Sequence, residues 1–450
     1  MDPEKFAHEL IQAAIDSVRP DFFMPETLRL SGSTLRICGQ AHPGYDEYFE
    51  TDPGRYEHVY LAAVGKAAFG MAAAAERTLG RYISEGIIVT KQLPSESLPG
   101  RYRIFQGGHP VPNAQSAAGA EAVLRMLDKA GEKDLVLFLI SGGGSALMAA
   151  PVDGISPDVY QAFCTAVLGC GADIGEFNTL RKHLDQVKGG RLALRAAPAR
   201  QVTVILSDVV GSPKDIIASG PTVPDPSTFR DALEILDRYS GQAVFPPEIR
   251  AALLKGLRGE LEETAKADQD IFQKSSVFLA ADNRTAAEAA ARRARALRLP
   301  ALIDDVNYTG IASEEGIRLA ERFCESDTPG VMIFGGETTV HLKGSGYGGR
   351  NLEMALAAVR PMAEFPDCAL VTLATDGEDG PTDAAGAFVT SETLAKALAA
   401  GCVPEDYLER NDSWHFFEKT GGLIKTGSTG TNVNDLTFLI RFPPAPAACS

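Results

Sequence analysis

No apolar run in this 450-residue chain reaches the ~18 residues that a membrane-spanning helix needs. Positive charge is also scarce. Lys and Arg number 43 against 59 Asp and Glu, a net charge of −16 with a pI of about 5.0. That balance argues against nucleic acid or an anionic membrane as a main partner, so any anion site must be built from a few focal cations. The seven cysteines, at 38, 164, 170, 324, 368, 402 and 449, are odd in number, widely spaced and without a C-x-x-C pair. They indicate neither a disulfide framework nor a zinc site and read as reduced thiols. The opening MDPEKFAHELIQAAIDSVRP reads as an acid-capped amphipathic helix rather than a signal peptide, with Phe6, Leu10, Ile11, Ile15 and Val18 on one face. The cytoplasm is the expected compartment. No periodic repeat or long low-complexity segment occurs, and the terminal PPAPAACS is expected to fray.

Apolar material is plentiful, at 45% of residues, and the length corresponds to roughly two to three domains of ~150 residues. Apolar runs alternate with Ala-rich helical text: HVYLAAV then KAAFGMAAAAERTLG, GIIVT, DLVLFLI then SALMAAP, and QVTVILSDVV after a long helical segment. Such alternation implies an α/β architecture with a mostly parallel sheet. Between about 211 and 272 the pattern breaks into GSPKDIIASGPTVPDPSTF and then charged helical text without a strong strand, which suggests a boundary. A second series follows with SSVFLAAD, PALIDDV, GVMIFGG, TTVHL, CALVTLATD and DLTFLIRF, interleaved with helices. The expected layout is two α/β domains, 1–240 and 241–450.

Polar residues gather where strands hand over to loops, the usual ligand edge of an open α/β sheet. LFLISGGGSALMAAP, residues 137–151, puts Ser141, Gly142, Gly143, Gly144 and Ser145 between an apolar strand and helix-forming text. By itself the stretch suits a phosphate cradle and a plain tight turn equally, because it has no P-loop lysine. Lys66, after HVYLAAV, sits at a helix start, where an anion would relieve its opposition to the helix dipole. Arg350 ends the glycine-rich GSGYGGR in the same way, and its fork suits a phosphate or carboxylate. FNTLRKHLDQVKGGRLA concentrates Arg181, Lys182, His183, Lys188 and Arg191 in one helix and its glycine end, with Asn178 or Thr179 as the expected N-cap. LATDGEDGPTDAAG clusters Asp376, Glu378, Asp379 and Asp383, hard oxygens that suit Mg²⁺ or a solvated turn. Asp208 and Glu337 each end an apolar strand, and either could accept a proton, reach a metal through water or cap a helix. GGLIKTGSTGTNVNDL reads as a small-residue ligand wall.

Taken together and in order, these blocks resemble the class II glycerate 2-kinases, whose C-terminal part is the MOFRL domain. The carriers are VGKAA, LISGGGSAL, NTLRKHLDQVKGGRLA, LSDVVGSPKDIIASGPTVPDPSTF, GGETTVHLKGSGYGGRNLEMAL, ATDGEDGPTDAAGAFV and GGLIKTGSTGTNVNDL. The resemblance implies a Rossmann-like N-terminal domain, a smaller C-terminal α/β domain with its MOFRL region at about 330–442, and an active site in the cleft between them. It implies ATP- and Mg²⁺-dependent phosphorylation of D-glycerate to 2-phosphoglycerate; with Lys66 before the 211–272 break and Arg350 after it, the site is expected to assemble by closure around substrate. Lys66 and Arg350 match the cations at the transferring phosphoryl group, and Asp208 is the candidate to orient the hydroxyl. Asp376 and Glu337 are the candidates for the metal. Ser141 to Ser145, Asn178, Arg181 and Lys188 are the candidates for nucleotide or substrate. A homodimer is compatible with this reading. Asp185 departs from the small hydroxyl residue expected in the helical block. The competing reading is an NAD(P)H-dependent hydroxypyruvate reductase, but the sole G-x-G-x-x-G, residues 344–349, ends in an arginine and lacks a ribose-binding acid after the next strand.

Overall fold

The computed structural model describes residues 2–39, 47–324 and 328–444. The chain forms two compact units, Pro20–Ala281 and a second made of Met1–Arg19 with Asp282–Ser450. In the first, a short antiparallel sheet, β1 (Leu28–Ser31), β2 (Thr34–Cys38) and β3 (Tyr48–Thr51), precedes the main sheet. The main sheet contains β4 (Val59–Val64), β5 (Ile83–Thr90), β6 (Tyr102–Gln106), β7 (Leu135–Ser141), β8 (Arg200–Leu206) and β9 (Ser275–Ala281). All pairings are parallel, in the order β6-β5-β4-β7-β8-β9. Every residue of β4 and β7 is buried, as expected where helices cover both faces of a parallel sheet. The order reverses between β4 and β7. The crevice beyond the carboxyl ends of those two strands is therefore the switch point of a Rossmann-like sheet.

The second unit also has a six-stranded sheet among the described residues. Its strands are β10 (Ala301–Tyr308), β11 (Gly330–Gly336), β12 (Cys368–Ala374), β13 (Gly386–Thr390), β14 (Leu423–Ile424) and β15 (Asp435–Arg441), ordered β10-β11-β15-β12-β13-β14. Here β15 runs antiparallel to both β11 and β12, so it is the last strand in sequence and a central one in space. The N-terminal helix Pro3–Val18 belongs to this unit. All five residues of its apolar face are buried, Asp2 caps it by accepting from Glu4 N, and it packs on helix Asn283–Ala296 with Arg293 bound to Glu9 at 2.5 Å.

The units do not divide at 240/241. The segment 211–272 is part of the first unit's packing, and β9, the SSVFLAAD strand, completes the first sheet. Helices Phe229–Arg238 and Pro247–Leu257 pack against helix Ile174–Leu184, and Phe229, Ile249 and Leu253 join Tyr160, Phe163 and Phe177 in one core cluster. Their charged text is the solvent face of amphipathic helices, which composition alone confuses with a linker. Two local expectations also change. Asp173, not Asn178 or Thr179, caps the basic helix, because Asp173 and Glu176 form a reciprocal capping box one and a half turns earlier. TTVHL forms only an isolated bridge from Thr339 to Ile311. Most of the terminal PPAPAACS, from 445 onward, lies outside the described residues.

Phe229 is 2% exposed and its ring meets the His183 ring at 4.8 Å. Phe229→Ala is expected to destabilise the protein by about 3–5 kcal/mol. Urea unfolding measures this, and a wild-type midpoint would mean that the 211–272 segment is a linker rather than core.

Candidate functional site

In the first unit the site begins where β4 and β7 end side by side. Lys66 N donates to Gly142 O at 2.8 Å and Ala67 N donates to Ser141 Oγ at 3.0 Å, tying the two loops together. Gly142 must be bare: a Cβ there would lie 1.8 Å from Asp208 Oδ2, since Asp208 enters from the end of β8. Gly143 turns with φ +78°, a conformation that favours glycine, beside the Lys66 stem and the His109 ring. The helix after this loop is a single turn, Gly144–Leu147, so a long helix dipole does not stand behind the glycine run. The longer helix here, Ala68–Leu79, follows Lys66 and has no side-chain N-cap. Its first N–H groups and the Lys66 ammonium are suited to an anion.

Next to this loop, hydroxyls and amides connect to the basic helix. Ser145 Oγ and Ser219 Oγ lie 2.7 Å apart, Ser219 Oγ donates to Asn178 Oδ1 at 2.9 Å, and Arg181 Nη2 donates to the same oxygen at 2.5 Å. The basic face is therefore internal rather than solvated: Arg181, Lys182, His183 and Lys188 are all buried. Lys188 binds Asp185 at 2.6 Å and the Met148 carbonyl at 2.8 Å, so its charge is neutralised within the fold. This pairing also gives the unexpected Asp185 a role, since its other oxygen accepts from Ala150 N and Val187 N. Lys188 and Arg191 lie beyond the helix end at Leu184, in the following turn and at the start of the next helix. Desolvation, with Lys66, Lys91 and Arg181 around it, pushes His109 down to about 4, leaving the imidazole neutral at pH 7.

In the second unit Arg350 opens helix Arg350–Met362 as expected, but its fork is occupied. Nε and Nη2 donate to Asp435 at 2.5 and 3.2 Å, and Nη1 donates to Glu337. Although desolvation opposes the charge, Asp435 and Glu337 raise the Arg350 pKa. Sheet pairing sets this geometry: Asp435 faces Gly336 across β11 and Ala374 across β12, so Glu337 and Asp376 leave their strands on either side of it. The four acids of the DGEDGPTD loop take separate paths. Asp379 is buried and caps the helix by accepting from Asn351 N and Leu352 N at 3.0 and 2.8 Å, whereas Asp383 binds Lys425 and the Trp414 indole. Among the described residues no group of three or more His, Cys, Asp or Glu side chains could hold a metal ion. The loop 425–434 is tied in by its own hydroxyls, Thr429 to Thr375 O and Thr431 to Val18 O.

A family model described as a domain of unknown function (DUF4147) matches residues 6–254, and one described as the MOFRL family matches residues 330–435. A D-glycerate 2-kinase of Thermotoga maritima is 39% identical over 97% of this chain and 98% of that protein. This chain belongs to the glycerate 2-kinase family. A solved structure titled glycerate kinase, also from Thermotoga maritima, superposes with a TM-score of 0.83 at 38% identity, covering 97% of this chain and 99% of that one. A protein of Agrobacterium vitis provisionally named hydroxypyruvate reductase is 38% identical over 84% of this chain and 86% of that protein.

Within this member of the glycerate 2-kinase family, the fold brings Lys66, Gly142 to Ser145 and Asp208 together, and links Asn178 and Arg181 to them through Ser219. Ser219, His109 and Asp435 were not apparent from the sequence. Ser219 was present only unmarked within the block LSDVVGSPKDIIASGPTVPDPSTF, and the signal for Asp435 was an acid at the head of an otherwise apolar strand. Burial pushes the Asp435 carboxyl up to about 7, with Arg350 opposing the rise and Asp379 adding to it. Its folded value lies above the unfolded ~3.9, so its contribution to stability is full below about pH 4 and is lost as the pH rises through 7. Asp435→Asn should flatten this decline. Urea midpoints at pH 5 and pH 8 test it, and an unchanged slope would show that the carboxyl ionises normally.

Proposed function

We propose that this protein transfers the γ-phosphoryl group of ATP to the 2-hydroxyl of D-glycerate. The observation that carries the reading is the joined loop at the switch point, where Lys66, the bare Gly142 and the Asp208 carboxylate share one volume. Such transfers need little covalent help from the protein, since positioning and charge supply most of the rate. Lys66, at the start of helix Ala68–Leu79, spreads the negative charge that develops on the phosphoryl oxygens. Asp208 orients the attacking hydroxyl and accepts its proton. Within the second unit Asp435 keeps Arg350 Nε and Nη2, so only Nη1, now on Glu337, can exchange its partner for an anionic oxygen. The acids of the second unit are scattered, so Asp376 and Glu337 would hold Mg²⁺ only together with phosphates and water, and the bound ion would neutralise phosphate charge. Cys38, Cys164, Cys170 and Cys402 form no disulfide, which supports a reducing compartment such as the cytoplasm.

A hydroxypyruvate reductase finds less support. The GSGYGG stretch does not form a strand-turn-helix: β11 ends at Gly336, thirteen residues before the turn's last glycine, and Gly344 and Gly346 lie against the backbone of Arg410. A dinucleotide fingerprint needs its glycines between a strand and the helix that follows it directly.

ADP release that requires D-glycerate, with 2-phosphoglycerate as product by separate detection of the 2- and 3-isomers, is the expected result. NAD(P)H oxidation by hydroxypyruvate without ADP release would overturn the reading. Lys66→Met is expected to lower kcat roughly 10²-fold or more with little change in the glycerate KM, by analogy with oxyanion donors worth ~3 kcal/mol. Arg350→Lys keeps charge but loses the fork, so a comparable fall in kcat should come with a lower unfolding midpoint as Asp435 loses its bidentate partner. Wild-type kcat in a folded Arg350→Lys enzyme would remove this residue from the mechanism.

A further inference from the structure

Among the described residues of the first unit, the buried lysines of the basic helix and its glycine end are matched to acids and the buried arginine is not. Lys182 lies 3.2 Å from Asp225 and 3.4 Å from Asp215, and Lys188 lies 2.6 Å from Asp185. Arg181, only 6% exposed, has no carboxylate within ion-pair distance among the described residues. Its Nη2 donates to Asn178 and its Nε is buried without a partner. The carboxylate whose charge acts on it is Asp185, which already serves Lys188. A buried guanidinium left in this state is strongly disfavoured unless an anion joins it.

The surroundings show where that anion would sit. The Arg181 guanidinium stacks 4.0 Å over the Phe177 ring, which fixes the plane of its fork. Through Asn178 and Ser219 it connects to Ser145, the last residue of the SGGGS loop. His109, whose ring lies against Gly143 beside the Lys66 stem, feels the charges of Lys66, Lys91 and Arg181. A planar fork and adjacent hydroxyls match a carboxylate, whereas Lys66 and the helix start after it match a phosphoryl group.

We infer that Arg181, with Ser145 and Ser219, forms the seat for the carboxylate of a small 2-hydroxy acid and makes the protein reject polyols that lack one. This rests on the kinase reading above and goes further by naming the group that is recognised. The neutral state of His109 agrees with it, since the imidazole adds no further charge to the seat.

Calorimetry on the full chain, without turnover, tests the assignment with D-glycerate, glycerol and a non-hydrolysable ATP analogue as probes. Wild type should bind glycerate and not glycerol. Arg181→Lys should weaken glycerate about 100-fold while the ATP analogue stays within about threefold, because lysine keeps the charge and loses the planar fork. Ser145→Ala, a milder change, should weaken glycerate about tenfold with the same selectivity. Unchanged glycerate affinity in either folded variant overturns the inference, and so does loss of the ATP analogue instead, which would make this a phosphate seat. Should Arg181→Lys fail to fold, Ser145→Ala alone decides. Glycerate binding that fails in Arg181→Lys, in a wild type that releases no ADP, would sink the kinase reading and leave the carboxylate seat standing.

Discussion

The close approach of Gly142 to the Asp208 carboxylate is the contact on which the first unit's site depends. Three parallel strands deliver their carboxyl ends to one edge, and β4 and β7 part there because the chain winds outward from them in opposite directions. The crevice so formed is narrow. Lys66 reaches it from β4, the SGGGS loop from β7 and Asp208 from β8, and all three fit only because the middle element carries no side chain where they meet. The glycine run thus serves packing between functional groups as much as any ligand, and the single helical turn behind it contributes little dipole.

Electrostatics is arranged differently in the two units. In the first, an acidic protein buries Lys182 and Lys188 and neutralises each with an aspartate, so the charge left over is local and directional. In the second, the excess is negative: Asp379, Asp435 and Glu337 surround Arg350 and the start of its helix. Such buried pairs cost desolvation and are weak evidence of stabilisation, but they fix side-chain positions, because breaking one partner leaves the other uncompensated. The net charge of −16 conceals both arrangements.

Helix and strand periodicity made most of the architecture legible. The alternation of HVYLAAV, DLVLFLI and QVTVILSDVV with Ala-rich segments was enough for a parallel sheet, because strands buried on both faces read as continuous apolar runs. The division of the chain was not legible in the same way. Whether SSVFLAAD pairs with β8 or opens a new sheet depends on hydrogen bonds to a strand some seventy residues earlier, and no local pattern encodes that choice. The same holds for the N-terminal helix: its apolar face was evident, while its partner, helix Asn283–Ala296, follows it at a separation of 284 residues between Glu9 and Arg293.

Residue types at strand ends, by themselves, determined which side chains were candidates: Lys66, Ser141 to Ser145, Asp208 and Arg350 all stand where apolar runs give way to loops, and chemistry concentrates there for steric reasons. Tertiary structure alone decided which of them are available. Lys188 and Arg181 look alike in the text RKHLDQVK, yet one is neutralised by Asp185 and the other is buried without an acid. The acids of DGEDGPTD look like one oxygen cluster, yet Asp379 turns inward to cap a helix and Asp383 turns outward to Lys425. Spacing along a chain fixes which groups can be neighbours within an element, but the partner that neutralises a charge comes from another element, and only packing selects it.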